Sequence, residues 1–74
     1  MELDFSGLKC PLPIVKLGKA VRDAATGQEI KVIADDVPFP SDLRAWCKIT
    51  GHTLVSLDET KAPRYVAVVR KENR

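Results

Sequence analysis

Seventy-four residues, 45% hydrophobic and 30% charged, describe one small folded domain over 1–74, since so short a chain buries only about 60% of its unfolded surface. Twelve Lys and Arg against ten Asp and Glu leave a formal charge of +2, too balanced for binding driven by phosphate neutralisation. Four Gly and five Pro in this composition exclude a collagenous or disordered chain.

Met1 to Phe5 carries no basic n-region and no long apolar stretch, so a secretory signal is not expected. No apolar run reaches the ~18 residues of a membrane span. Two cysteines are too few for a disulfide scaffold, and the expectation is a cytoplasmic protein with free thiols. Glu2-Leu3-Asp4-Phe5 alternates polar and apolar, the pattern of a short half-buried strand, and Ser6-Gly7 breaks it.

A helix is predicted from Pro11 to about Ala25. Pro11 takes its first position and Pro13 the same turn, where a missing N–H costs no internal hydrogen bond. Ile14, Leu17, Val21 and Ala24 fall on one side at helical spacing, with Gly18 and Ala25 beside them. Gly27 is placed to end the helix. Glu29 to Ala34 holds Ile30, Val32 and Ile33 and reads as an inner strand. Asp35 to Pro40 reads as a loop, after which Ser41 caps a second helix from Asp42 to Thr50 closed by Gly51. Leu43, Trp46, Cys47 and Thr50 share its inner face. Thr53–Leu57 and Tyr65–Val69 read as two strands joined by a hairpin-like connection. Lys71 to Arg74 reads as a frayed polar tail beginning near residue 70. The order β-α-β-α-β-β, with right-handed crossovers, gives an α+β fold: a two-layer sandwich of a four-stranded mixed sheet with both helices on one face.

Chemistry concentrates in Gly7-Leu8-Lys9-Cys10-Pro11-Leu12-Pro13. Cys10 is expected at the N-cap of the first helix. A helix N-terminus carries about half a positive charge, which draws a thiol pKa below the ordinary ~8.5. With prolines at 11 and 13, the nearby donors reduce to the amides of Leu12 and Ile14, and Lys9 adds a cation. Such a thiolate suits attack on another sulfur. The plain alternative is an ordinary helix cap, a role in which Ser, Asp or Asn does better.

Cys-Pro-Leu-Pro opening a helix, Gly27 after it, Ala34-Asp35-Asp36, and the run from Trp46-Cys47 to Gly51-His52 together resemble the TusA/SirA-like small sulfur carriers. The resemblance covers about Leu3 to Val69. It implies a β-α-β-α-β-β protein whose C-P-x-P cysteine, here Cys10, receives sulfane sulfur as a persulfide and passes it on. The implied donors are cysteine desulfurases and rhodanese-like proteins. The implied acceptors serve tRNA thiolation, molybdenum-cofactor sulfur supply or sulfur oxidation. Such a shuttle is conventionally classed with the sulfurtransferases. One departure is Val37, where family members often carry proline; here proline comes at 38.

Cys47 reads as a small buried thiol on the second helix, its alternative being a resolving cysteine for Cys10. Neither C-x-x-C nor a paired metal half-site is present, so no metal and no cofactor are expected. His52 reads as a turn residue after Gly51. On the first helix Leu12, Val15, Lys16, Lys19 and Arg22 lie opposite the core stripe, two apolar residues flanked by three cations. They read as a surface for brief docking of a sulfur donor or acceptor protein. Asp36, with Asp35, reads as pairing with basic partner residues or as capping the loop. The carrier alone is expected to be a monomer.

Two other classes compete. A nucleic-acid or regulatory module fits the small sandwich, but Phe5, Phe39, Trp46 and Tyr65 form no stacking series, so no direct nucleic-acid contact is expected. A thiol-redox sensor would use Cys10 and Cys47 as a disulfide pair.

Overall fold

Branched Ile30, Val32 and Ile33 favour extended backbone in the middle of the chain, and the strand they form becomes central to the sheet. The computed structural model describes residues 1–72, which form β1 (Glu2–Asp4), α1 (Leu12–Asp23), β2 (Glu29–Ala34), α2 (Phe39–Thr50), β3 (Thr53–Asp58) and β4 (Tyr65–Arg70). The four strands lie in the order β1-β2-β4-β3. β1 runs parallel to β2, pairing Leu3 with Val32, while β4 is antiparallel to both β2 and β3. The sheet is therefore mixed, and the α+β architecture read from the sequence holds.

Both helices cover one face. Leu17 and Val21 from α1, with Phe39 and Leu43 from α2, pack on Ile30, Val32, Ala67 and Val69 in one cluster. On β4 Tyr65, Ala67 and Val69 are buried while Val66 and Val68 are half-buried, the period of two that a sheet covered on one side requires.

The helix ends differ from expectation in ways the prolines and the core explain. α1 starts at Leu12, with Pro11 as the cap residue, and stops at Asp23. The Ala24 N–H closes its last turn on the Val21 carbonyl at 3.1 Å. Gly27, at φ +87°, shapes the turn into β2 and donates its N–H to Lys71 at 2.7 Å. α2 starts at Phe39, ahead of the expected Asp42. Pro38 and Pro40 pre-set φ for a first turn that needs no donors, and Phe39 is 1% exposed, so burial draws the helix start inward. Ser41 is inside that turn, its hydroxyl donating to the Pro38 carbonyl. Gly51 ends α2 at φ +83° with its N–H on the Cys47 carbonyl, as read.

The tail is anchored where fraying was expected. Arg70 ends β4, and the Lys71 ammonium donates to the carbonyls of Arg22 and Ala24 at the end of α1, at 2.9 and 2.6 Å, satisfying orphan helix acceptors. The Glu72 N–H donates to His52 Nδ1 at 3.1 Å. Asn73 and Arg74, also assigned to the frayed tail, lie outside the described residues.

Candidate functional site

The segment from Phe5 to Pro11 leaves the end of β1 and is fastened to the end of its neighbour β2. The Phe5 N–H continues the ladder onto the Ile33 carbonyl at 2.7 Å. Asp4 Oδ1 accepts both the N–H and the hydroxyl of Ser6, at 2.9 and 2.6 Å, a local turn that frees the chain from the strand. Gly7, at φ +84°, then donates its N–H to Asp35 Oδ1 at 2.9 Å. Cys10 donates its own N–H to Asp36 Oδ2 at 2.8 Å. The two adjacent acids are thus acceptors for the loop that carries the cysteine. Asp36, expected to meet a partner, is 7% exposed, because its carboxylate is turned inward onto that amide.

Cys10 is exposed and precedes Pro11, the residue that caps α1. It lies outside the helix altogether. The Leu12 N–H, expected to face the sulfur, donates instead to the Lys9 carbonyl at 2.8 Å. The two prolines divide the work: Pro11 is exposed beside the sulfur, while Pro13 is among the largest fully buried side chains and roots the start of α1 in the core. Between α1 and α2 opens a groove of about 350 Å³ lined by Cys10, Pro11, Ile14, Asp42, Ala45, Trp46 and Ile49. Gly18 faces Trp46 across this helix pair, and a Cβ there would meet Trp46 Nε1 at an ordinary contact distance of 3.8 Å.

The sequence model of the sulfurtransferase TusA family matches residues 1–71. The chain belongs to the TusA family. Two proteins of Neisseria meningitidis, from serogroups A and B and described as sulfur carrier proteins, are each 44% identical to it over 57 residues, covering 77% of this chain and 77% of theirs. The crystal structure of a SirA-like protein from Desulfitobacterium hafniense has the same fold, with a TM-score of 0.80, 19% identity, and coverage of 99% of this chain and 100% of that one.

In this TusA-family chain the electrostatics at Cys10 run against the sequence reading. The thiol pKa is raised from its ordinary value. Hydrogen bonding to the Asp42 carboxylate is the largest cause, followed by desolvation and by the negative charges of Asp42 and Asp36. The carboxylates beside the sulfur favour its S–H form, while Cys10 lies outside α1 and the Leu12 N–H is already taken by the Lys9 carbonyl.

The remaining residues sort by exposure. Leu12 and Val15 are 47% and 59% exposed, and Lys16, Lys19 and Arg22 lie with them on the open side of α1. Arg22 pairs with Asp23 at 3.9 Å, both side chains well exposed. Cys47 is buried in the core cluster and burial pushes its thiol up. His52 stacks obliquely on Trp46, ring centroids 5.5 Å apart. Phe5, Phe39 and Tyr65 are buried, and Trp46, half-buried, lines the groove. Among the described residues no group of three or more His, Cys, Asp or Glu is arranged to hold a metal, and no helix is long and apolar enough to cross a membrane.

Asp42, Ala45, Trp46 and Ile49 are the part of the site that the sequence reading passed over. Their spacing, i, i+3, i+4 and i+7, is a second helical stripe beside the core stripe. Ile49, an 83% exposed hydrophobic, was its clearest mark.

Proposed function

We propose that this chain carries sulfane sulfur as a persulfide on Cys10 and hands it from a donor protein to an acceptor protein. The observation that supports the reading is the contrast between its thiols: Cys10 is exposed on a loop tied down by Asp35 and Asp36, while Cys47 is buried. Cys10 Sγ, deprotonated, attacks the outer sulfur of a donor persulfide. The donor S–S bond breaks, the donor leaves as a thiol with the proton, and Cys10–S–SH remains. An acceptor thiolate then attacks that outer sulfur and returns Cys10 to the thiol. Sulfur moves and no external oxidant or reductant is needed. A cysteine desulfurase or rhodanese-like protein is the donor class, and tRNA thiolation, cofactor sulfur supply or sulfur oxidation the class of destination. The carrier works in the cytoplasm as a monomer, on protein partners and without touching nucleic acid.

Partners dock on the open side of α1 through Leu12, Val15, Lys16, Lys19 and Arg22, close to the sulfur. Exposed charge of this kind acts mainly on the rate of encounter. Intact mass after incubation with a cysteine desulfurase and cysteine tests the central claim. The protein gains one sulfur atom, lost again on reduction; Cys47→Ser keeps the gain, and a Cys10→Ser variant that still gains it refutes the assignment. Reversing Lys19 and Arg22 to Glu slows transfer from an acidic-surfaced donor at low salt, with melting unchanged; equal rates there place the interface elsewhere.

A further inference from the structure

The groove between α1 and α2 is apolar along Pro11, Ile14, Ala45, Trp46 and Ile49, and Asp42 is its one charged wall. That carboxylate has no ion-pair partner among the described residues. Arg44, two positions on, is committed to Glu59 at 2.6 Å, and the other pairs are Arg22–Asp23, Lys31–Glu2 and Arg70–Glu29. Asp36, the second acid near the sulfur, already accepts the Cys10 N–H. A cavity of about 350 Å³ is at the small end for a cofactor site and suits side chains of a docking segment.

We propose that this groove receives an apolar segment of the sulfur partner bearing one Lys or Arg, and that the cation, set against Asp42, releases Cys10 for reaction. The proposal rests on Cys10 as the sulfur-carrying residue and adds how its reactivity is controlled. In the free carrier the charged groups bearing on the thiol are Asp42 from α2 and Asp36 from the turn after β2, both negative. They favour the S–H form, so the isolated protein is quiet toward stray electrophiles. A cation against Asp42 cancels the nearer charge, the S–H proton passes to solvent, and Sγ attacks the sulfane sulfur as the donor S–S bond breaks. With Lys16, Lys19 and Arg22 on the open side of α1, the site presents cations on one flank and a lone anion in the groove. That two-sign pattern fixes the orientation of a partner.

Small symmetrical disulfides test the groove without any partner protein. The full chain is treated with cystamine, bis(2-hydroxyethyl) disulfide and dithiodipropionate, which carry cationic, neutral and anionic arms. Mixed-disulfide formation at Cys10 is followed by mass, and each rate is divided by that of N-acetylcysteine methyl ester, an uncharged thiol, to remove intrinsic reactivity. At low salt cystamine should exceed the neutral reagent by about fivefold, the Boltzmann factor of one charge pair a few ångströms apart in water. The anionic reagent should be slowest, and salt should compress the spread. Asp42→Asn should bring all three within about twofold of one another, by removing that single charge pair. Should Asp42→Asn fail to fold, Asp42→Ser and the salt dependence of the unaltered chain give the same reading. No cation preference, a preference for the anion, or a preference that survives in a folded Asp42 variant overturns the proposal. A helix-capping role alone for Asp42 would leave the preference untouched. Failure of Cys10 to load sulfur is scored separately, by mass with the desulfurase, and leaves these rate ratios measurable.

Discussion

Two loops of this molecule start from the same local chemistry and end in different states. Asp4 accepts the N–H and hydroxyl of Ser6, and Asp58 accepts the N–H and hydroxyl of Thr60, each at 2.9 and 2.6 Å. Both carboxyls are held below the usual carboxylate value by those hydrogen bonds, the side-chain bond first. Each turn therefore loses its support as pH falls through the carboxylate range, since the proton displaces the bonds. Beyond that the loops part. The one carrying Cys10 donates two backbone N–H groups to Asp35 and Asp36, residues 28 and 26 positions away in sequence. Among the described residues the Glu59–Arg64 loop makes its backbone hydrogen bonds within itself, Ala62 N–H to the Glu59 carbonyl and Arg64 N–H to the Lys61 carbonyl, with one surface ion pair from Arg44 to Glu59. Turn residues alone make a turn; acceptors brought in by a neighbouring strand make a positioned one.

The sharpest way to break that comparison is to remove the long-range acceptor. Asp36→Ala leaves the part-buried Cys10 N–H without its carboxylate and is expected to cost about 1–3 kcal/mol, the range for stranding such a group. Asp36→Asn, whose amide oxygen still accepts, should recover much of the loss. Asp58→Ala in the other loop should cost clearly less than Asp36→Ala, because its bonds to Thr60 are made in full contact with water. Urea unfolding of the three variants decides it; equal losses at 36 and 58 would show that the Cys10 loop is no better anchored than its counterpart.

Reactivity is the next test. Asp42 and Asp36 raise the Cys10 thiol above its ordinary value, so the neutral form persists further into alkali and the thiolate appears later. The alkylation rate with iodoacetamide should rise with a midpoint above the ~8.5 of free cysteine. Asp42→Asn should move that midpoint down. A midpoint below free cysteine in the unaltered protein would restore the helix terminus as the stronger influence.

This sign was out of reach of the sequence, and the reason is physical. Local pattern fixes local things: β2 ends where its branched residues end, Gly51 stops α2 in the left-handed region, and Cys-Pro-Leu-Pro marks the reactive loop. What Cys10 feels is set by Asp36 and Asp42, which a parallel β-α-β unit and a second helix bring to it across the fold. Adjacent acids in a loop read as solvated or as loop caps, and nothing in Asp35-Asp36 says that the amides they cap are those of Gly7 and Cys10, 28 and 26 positions away. Phe39 was legible as apolar but not as the start of α2, because the pull inward comes from the core. Lys71 likewise reads as tail until the end of α1 supplies carbonyls for it.

Cys47 extends the contrast from loops to thiols. It is 6% exposed among apolar neighbours, and desolvation raises its pKa. A thiol kept neutral in the fold but free to ionise when unfolded contributes stability below the ordinary thiol pKa, and that stability is lost as pH rises through it. Cys47→Ala should flatten this alkaline decline, and Cys47→Ser should cost about 1 kcal/mol for burying a hydroxyl. Stability against pH in denaturant measures both, and an alkaline limb identical in Cys47→Ala would assign the decline to other groups.

The smallest effect is expected where the far loop touches the rest of the molecule. Arg44 Nη2 and Glu59 Oε2 are 2.6 Å apart, but the side chains remain 53% and 45% exposed. At that exposure water and salt screen the attraction, and ordering two long side chains offsets much of what is left. Glu59→Ala should therefore change stability by no more than about 0.5 kcal/mol, and less in high salt. A loss of stability as large as that of Asp36→Ala would mean that the surface pair anchors its loop as firmly as the paired aspartates anchor theirs.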